Sequence, residues 1–314
     1  MSVGIGLGCA EFPFSGAAAY WRWIDMCEAG GVDSIWQTDR IVGRQPFLES
    51  MTTMAALAGR TRRMRFGMNV VSLAFRDPVL LAKQCATIDV LSDGRLLPAF
   101  GIGSPLGPEW EALGVDTKTR GRKTDECLEI IRRLWREESV DFDGAFYRLK
   151  GASVAPKPVQ PDLPMWIGGS SDAAIRRTAR FGTGWQAGAE TPAEAGLVIA
   201  QIKAALQETG RAIDNDHYGV NIPFRFGPAD DPGILRAMEA YRQYSGRDPA
   251  DYFATGEPAA VLDRIAAYIE AGAFKFVLRP AASGDEDMLA QTRRIVDEVL
   301  PAVAARWPHS ARAG

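Results

Sequence analysis

Residues 65–103 read RFGMNVVSLAFRDPVLLAKQCATIDVLSDGRLLPAFGIG and contain one strand–helix–strand unit. Short runs rich in β-branched and aromatic residues predict strands at Arg65–Val71 and Leu96–Gly101. The longer run Pro78–Leu91 between them has the spacing of an amphipathic helix. A helical crossover of this kind joins parallel strands, so the stretch predicts a parallel sheet covered by helices.

The same alternation continues on both sides of this unit. Six further strands are predicted at Val3–Gly8, Asp33–Thr38, Pro164–Gly168, Thr183–Ala187, His217–Phe224 and Lys275–Arg279. The other predicted helices are Ala17–Ala29, Glu49–Arg60, Thr119–Glu137, Asp172–Phe181, Pro192–Thr209, Pro258–Ala271 and Glu286–Arg306. Eight unbroken β/α repeats predict an α/β fold, a (β/α)8 TIM barrel in which residues 1–314 form one domain. A doubly wound open sheet is the alternative.

One segment does not follow the period. The run Val140–Arg148 is typical of a β-hairpin that turns at Asp143-Gly144. We expect it to form a short excursion before the fifth barrel strand.

Composition excludes several classes of function. The net charge of −3 and pI near 5.6 give no basic field for nucleic acid or an anionic membrane. No apolar stretch is long enough to span a bilayer, and the N-terminus lacks the charged start of a signal peptide, so a cytoplasmic protein is expected.

Metal-binding residue types are scarce. There are two histidines, His217 and His309, and four cysteines without CxxC spacing. This excludes a His-rich metal site, and we predict no bound metal. His217 begins the seventh strand, at the end of the barrel away from the expected chemistry, so we interpret it as structural.

Polar residues follow the first two strands, where the chemistry of a parallel barrel gathers. Glu11 is an acid able to transfer a proton if it is partly desolvated. Asp39 and Arg40 follow the second strand and are predicted either to form a structural ion pair or to fix a flavin edge or an anionic substrate.

The next three strands are followed by residues suited to a flat cofactor. Asn69 follows the third strand, and asparagine tolerates unusual backbone torsions. Gly101 and Gly103 follow the fourth strand and let a flat ring approach the backbone. After the fifth strand, Gly168-Gly169-Ser170 precede a helix and are typical of a phosphate cradle, although Ser171 or Asp172 could equally be a plain N-cap.

Three large side chains complete the predicted barrel mouth. Trp185, after the sixth strand, is expected to supply an aromatic wall. Arg225 and Arg279, at the ends of the seventh and eighth strands, are expected to add positive charge for the substrate.

Taken together, these elements resemble the bacterial luciferase-like flavin-dependent oxidoreductases. The resemblance covers about Gly4 to Val299. It is carried by the runs LLAKQCATIDVLSDGRL (80–96), GIG (101–103), RGRKTDE (120–126), FDGAFY (142–147), PKPVQ (156–160) and WIGGSS (166–171).

The resemblance implies a TIM barrel, usually dimeric, with a flavin at the carboxyl ends of the strands. By position, Asn69-Val70 matches the strand-three bulge behind the isoalloxazine ring, often a non-proline cis peptide. Gly101 and Gly103 match ring-lining positions. The phosphate cradle is matched by Gly168, Gly169 and Ser170, and acidic positions of the F420-dependent branch are matched by Glu11 and Asp39.

Two departures from that branch matter for the cofactor. It typically has a histidine where this chain has Arg40, and a glutamate shortly after the glycines, where this chain has Leu106 or its neighbours. An arginine at the Arg40 position instead resembles the alkanesulfonate-type monooxygenases that use reduced FMN.

The sequence therefore leads to three hypotheses. The first is a two-component monooxygenase in which reduced FMN, supplied by a separate flavin reductase, reacts with O2 and oxygenates a small organic substrate. The absence of a Rossmann fingerprint agrees with an external reductant. The second is a reductase or dehydrogenase that uses the deazaflavin F420, with Glu11 and Asp39 handling the proton. The third is a catalytically silent flavin-binding or structural barrel.

Overall fold

A computed structural model describes residues 3–9 and 11–308. Its strands are β1 (Gly4–Cys9), β2 (Ser34–Gln37), β3 (Arg65–Met68), β4 (Val71–Ser72), β5 (Leu96–Leu97), β6 (Ala99–Gly101), β7 (Val140–Asp143), β8 (Arg148–Ala152), β9 (Trp166–Gly168), β10 (Gly184–Gln186), β11 (Tyr218–Phe226), β12 (Ala254–Gly256) and β13 (Lys275–Pro280).

The helices alternate with these strands along the chain. They are α1 (Ala17–Ala29), α2 (Ser50–Arg60), α3 (Pro78–Leu91), α4 (Glu109–Ala112), α5 (Arg120–Arg136), α6 (Asp172–Phe181), α7 (Pro192–Thr209), α8 (Pro232–Ser245), α9 (Pro258–Glu270), α10 (Asp285–Arg294) and α11 (Leu300–Arg306). A π-helical turn over Ile295–Val299 joins α10 to α11.

Eight parallel strand positions close into a ring. The third position is divided into β3 and β4, and the fourth into β5 and β6. Each position pairs in parallel with the next, from β1 through β2, β3/β4, β5/β6, β9, β10 and β11 to β13. The β13 strand then pairs with β1, with Lys275 beside Gly4. The predicted TIM barrel is confirmed, and the open doubly wound sheet is wrong.

The barrel is packed inside and outside. Its interior holds Trp36, Leu97, Ala99, Trp166 and Val277 in one buried cluster. The outer faces of the strands pack on the helices in a larger core that includes Ile35, Phe66 and Leu278. The ends of the strands are therefore held rigidly, as a site built on loops requires.

The structure differs from the sequence prediction after the seventh strand. Helix α8, a short turn over Pro249–Asp251 and β12 occupy a stretch for which no element was predicted. Ile234, Tyr241, Tyr252 and Phe253 form a separate buried cluster there. The predicted hairpin before the fifth strand is present as antiparallel β7 and β8.

Two further observations concern the chain as a whole. Across the described ranges, no helix has both the length and the apolar composition needed to cross a bilayer. His309 lies outside the described residues.

Candidate functional site

Val70 is the centre of the site because the ends of three strands meet on its side chain. A Cβ added to Gly101 would lie 2.7 Å from a methyl group of Val70, and one added to Gly168 would lie 3.0 Å from it. Any larger residue at these two positions would displace Val70. The Asn69–Val70 peptide is cis, and Val70 itself is partly exposed at the mouth. The structure thus brings together three of the predicted cofactor-binding residues around one apolar platform.

Asn69, on the other side of this peptide, takes part in a polar bridge across the barrel. Its side-chain amide donates to Oδ1 of Asn221 at 2.6 Å. Asn221, which is almost fully buried on β11, donates to the carbonyl oxygens of Ala187 and Gly188 at 2.7 and 3.1 Å. Asn221 therefore fixes Asn69 and the loop after β10 together. Sequence reasoning missed it because a single asparagine in a strand gives no signal of its own.

Two of the predicted glycines adopt backbone torsions that favour glycine. Gly103 has φ of +74° and Gly169 has φ of +104°. A side chain at Gly103 would also meet Ser72 at 2.8 Å and Trp110 at 3.3 Å. These two residues are thus glycine for conformational reasons, whereas Gly101 and Gly168 are glycine because Val70 fills the space beside them.

The predicted phosphate cradle opens helix α6. Ser171 is the N-cap, and its hydroxyl accepts from the N–H of Ala174 at 3.3 Å. Ser170 is exposed immediately before it. A capped ten-residue helix preceded by a glycine in the left-handed region presents N–H groups and the positive end of its dipole, which suits an anion.

Trp185 holds the backbone of this cradle in place. Its side chain is fully buried in the core, and its indole N–H donates to the carbonyl oxygen of Gly169 at 2.8 Å. The expectation that Trp185 forms an aromatic wall for the substrate is therefore wrong. It fixes the backbone of the cradle instead.

Asp39 and Arg40 do not pair with each other. Asp39 has a side chain only 1% exposed and accepts two hydrogen bonds from Arg76, at 2.7 and 2.8 Å. It also accepts from the Ser50 hydroxyl and the Ser72 N–H. Four donors saturate a carboxylate, so the expectation that Asp39 transfers protons is not supported. Its geometry is that of a clamp between the loops after β2 and β4.

Arg76 is held charged by this clamp. Although burial opposes it, the neighbouring carboxylates of Asp39 and Glu49 raise the pKa of the Arg76 guanidinium. Neither side of the clamp is free to bind a substrate anion.

Arg40 instead forms an ion pair with a residue that sequence reasoning missed. Its Nε lies 3.0 Å from Oε1 of Glu109, whose side chain is 6% exposed. Glu109 opens helix α4 and is packed beside Trp110 in the loop after β6. A glutamate therefore does follow the glycines, contrary to the sequence interpretation at Leu106 and its neighbours. Sequence reasoning missed Glu109 because it lies farther along the chain from Gly103 than the position expected for this acid.

Arg225 is also engaged within the protein. Its guanidinium donates to Asp287 at 2.8 Å, to Asp231 at 2.9 Å and to the Ala281 carbonyl oxygen at 2.8 Å. Burial opposes the charge, but Asp287 and Asp231 together raise the pKa of Arg225. The expectation that Arg225 binds substrate is therefore wrong. Arg225 connects the segment that contains α8 to the rim of the barrel.

Arg279 differs from the arginines just described. It is partly buried at the end of β13, and among residues 3–9 and 11–308 no carboxylate lies within ion-pair distance of it. Burial lowers the pKa of its guanidinium, with Tyr252 and Cys9 as the neighbours that partly oppose this. Burial likewise raises the pKa of the Cys9 thiol to about 12, so Cys9 is neutral at physiological pH.

Glu11 lies at the outer edge of the site. It is exposed on the loop that follows β1. The structure therefore places it at the rim and not among the buried groups around Val70.

The opposite end of the barrel holds a separate polar cavity of about 450 Å³. His217 lies there, and its Nδ1 is 2.9 Å from the Thr183 carbonyl oxygen. Asp214, Asp216 and His217 each place one possible ligand atom within 4.8 Å of the others, and Asp214 is exposed. This end lies away from the glycine-lined turns, as the interpretation of His217 as structural expected.

The residues around Val70 fit a flat, phosphorylated redox ring. Val70 presents an apolar surface at the mouth, Gly169 to Ser171 form an anion cradle, and Glu109, buried and paired with the partly exposed Arg40, supplies a carboxyl group. Chemically, the site can hold a ring by its face and its phosphate and move a proton beside it.

Comparisons with known proteins agree with this geometry. A sequence profile described as luciferase-like monooxygenase matches residues 15–249. An uncharacterised protein of Mycobacterium tuberculosis (strain ATCC 25618 / H37Rv) is 38% identical over 168 residues, which are 53% of this chain and 57% of that protein. The match thus spans little more than half the length of that relative. An F420-dependent glucose-6-phosphate dehydrogenase of Microbacterium testaceum is 24% identical over 320 residues, covering 90% of this chain and 92% of its own.

A solved structure has the same fold. The monooxygenase RslO1 from Streptomyces bottropensis superposes with a TM-score of 0.81 over 97% of this chain and 100% of its own, at 22% identity. Similarity at that identity shows the fold alone.

Proposed function

The chain belongs to the luciferase-like monooxygenase family, and from that premise we propose that it is an F420-dependent oxidoreductase acting on a small organic substrate. When bound, the deazaflavin supplies hydride chemistry at the barrel mouth. The observation that carries the proposal is the buried Glu109 carboxylate, paired with the partly exposed Arg40 beside the glycine-lined turns. The relative from Microbacterium testaceum, named as F420-dependent, supports it over nearly the whole chain.

Val70, the cradle and the surrounding glycines would hold the cofactor. Val70 would back the ring, while Gly101 and Gly168 keep the Val70 side chain in place. Gly169 and Ser170, with the N-terminus of α6, would hold the phosphate. Gly103 would let the ring approach the backbone of the loop after β6.

Glu109 would perform the acid–base chemistry. When an alcohol and a carbonyl interconvert by hydride transfer, a proton must leave or reach the substrate oxygen. The Glu109 side chain is only 6% exposed, and Nε of Arg40 lies 3.0 Å from its Oε1 and orients it. A proton would therefore pass between the Glu109 carboxyl group and the substrate oxygen.

A monooxygenase that uses reduced FMN is the second candidate. Arg40 favours it, because the F420-dependent branch typically has a histidine there. This candidate requires O2 and a separate flavin reductase. Under either candidate, we propose a homodimer on the family resemblance.

Titration of the purified chain with F420, oxidised FMN and reduced FMN under anaerobic conditions separates the two candidates. We expect quenching of the deazaflavin fluorescence with a Kd at least tenfold below that of either form of FMN. Selective binding of reduced FMN would establish the second candidate, and binding of none of the three would overturn both.

Replacement of Glu109 by Gln tests the acid–base assignment. We expect kcat to fall about 100-fold, because the amide of glutamine cannot transfer the proton. The cofactor Kd should stay within twofold of the wild-type value. The matched change Glu11→Gln, at the exposed rim, should lower kcat less than tenfold, and a kcat of Glu109→Gln within tenfold of the wild-type value would remove the assignment.

A further inference from the structure

The arginines around the barrel mouth fall into two groups. Arg40, Arg76 and Arg225 each have a carboxylate partner between 2.7 and 3.0 Å away. In addition, Arg247, which supports the loop after β10, lies 3.0 Å from Glu194. Arg279 has no such partner within the described part of the chain.

An unpaired, partly buried guanidinium is costly. Desolvation removes water from the cation, and here the neighbours are a tyrosine and a neutral thiol, which return little of that free energy. Arg225, one strand away, shows the ordinary solution, since two aspartates and a carbonyl oxygen surround it. Arg279 lacks such partners, so an anion bound at the mouth would compensate its charge.

The position of Arg279 in the ring of strands indicates which anion it would bind. It ends β13, the strand paired with β1, so it stands beside Cys9 on the side of the mouth away from the cradle at β9. The phosphate of a cofactor held by α6 is three strand positions away around the ring. Arg279 is therefore placed for a second anion.

We propose that Arg279 is the specificity-determining residue of the substrate pocket, and that the substrate is a small organic molecule carrying an oxyanion. The planar fork of the guanidinium binds two oxygens of a carboxylate, sulfonate or phosphate group side by side. Its neighbour Tyr252 is buried and fixed by a hydrogen bond to the Gly188 carbonyl oxygen. The inference rests on the proposed function in taking the mouth as the place where the substrate binds.

Stability of the ligand-free protein gives the first test. Replacing Arg279 by Met removes an uncompensated charge, so the melting temperature should stay the same or rise by about 2 °C. Replacing Arg225 by Met leaves two aspartates unpaired and should lower it by several degrees. A loss of stability in Arg279→Met equal to that in Arg225→Met would show a structural role and overturn the proposal.

Binding of matched probes gives the second test. Benzoate and benzamide, and propanoate and propanamide, have the same shapes but differ in charge, and titration calorimetry measures each Kd. We expect the wild-type chain to prefer each anion to its amide at least tenfold. Arg279→Met should lose this preference, and Arg279→Lys should keep part of it. The control Arg148→Met removes an exposed charge on the β7–β8 hairpin and should bind as wild type does.

Each result has a definite meaning. Equal binding of anion and amide by the wild-type chain, or a preference retained in Arg279→Met, would overturn the proposal. The F420 and FMN titrations are run on the same variants, and Arg279→Met should bind cofactor as the wild-type chain does. If no cofactor binds but the preference for anions remains, the proposed function is overturned and the proposal for Arg279 stands.

Discussion

At the scale of single residues, the site depends on side chains that are absent. Gly101 and Gly168 leave room for Val70, and the room is so small that one methyl group would fill it. Close packing requires glycine at these two positions, whereas a positive φ favours glycine at Gly103 and Gly169. Their replacements should therefore fail for different reasons.

Gly101→Ala tests the packing argument. The new Cβ would lie 2.7 Å from Val70, so Val70 must move, at a cost of about 1–3 kcal/mol in the free energy of unfolding. Because the displaced side chain is the platform for the ring, cofactor affinity should fall at least tenfold. Urea unfolding and fluorescence titration measure the two effects. The double variant Gly101→Ala with Val70→Ala should recover stability, and absence of any recovery would show that Val70 is not the obstacle.

At the scale of elements, the sequence predicted the regular alternation well and the contacts between loops poorly. Helices α1, α3, α6 and α7 begin and end where they were predicted. The starts of α3 and α7 carry local signals, the caps and prolines of Asp77-Pro78 and Thr191-Pro192. Helix α8 was missed although Asp231-Pro232 opens it and Ile234 and Tyr241 are spaced seven residues apart on its buried face. There the signal existed and was overlooked.

The partners of the charged residues could not be predicted in the same way. Asp39 is adjacent to Arg40 in sequence, yet each pairs with a residue from another loop. The curvature of the closed barrel decides which loops contact each other. A single sequence does not show that curvature directly. Arg225 and Arg279 likewise end neighbouring strands, but only the structure distinguishes the paired arginine from the unpaired one.

Asp39→Asn tests the clamp between loops. Removing the charge leaves Arg76 buried with one carboxylate partner, Glu49, which is half exposed. We expect the free energy of unfolding to fall by about 3–5 kcal/mol. The matched change Asp25→Asn, in an exposed pair with Arg60, should cost less than about 1 kcal/mol. A small loss in Asp39→Asn together with an altered pH–rate profile would return Asp39 to a role in proton transfer.

Gly169→Ala tests the start of helix α6 as an anion cradle. At φ of +104° an alanine is strained, and its Cβ would press on Ala174 at 3.3 Å. The cradle should distort, and cofactor affinity should fall about tenfold. Gly210→Ala, at the far end of α7 with φ of +66°, also places an alanine at positive φ, with less strain and in open space, and is the control. Equal cofactor affinity in the two variants would exclude the cradle.

At the scale of the whole molecule, the closed barrel buries its thiols and hydroxyls with little compensation. Burial raises the pKa of the Cys127 thiol to about 11 and that of the Tyr218 hydroxyl to about 12. All four cysteines are free in the structure, and three of them are fully buried. The consequence is a stability that depends on pH in the alkaline range.

The sign follows from which state holds the proton. In the unfolded chain the Cys127 thiol loses its proton near pH 9, whereas in the folded chain it keeps it to about pH 11. Above pH 9 the folded state therefore binds more protons, and stability falls as pH rises. We expect wild-type stability to decline between pH 9 and pH 11, with Cys127 contributing about 1 kcal/mol over the first unit. Denaturant unfolding of wild type and Cys127→Ala at pH 8, 9 and 10 measures this, since the cavity left by the mutation costs the same at each pH. Parallel declines in the two proteins would show that Cys127 does not titrate in this range.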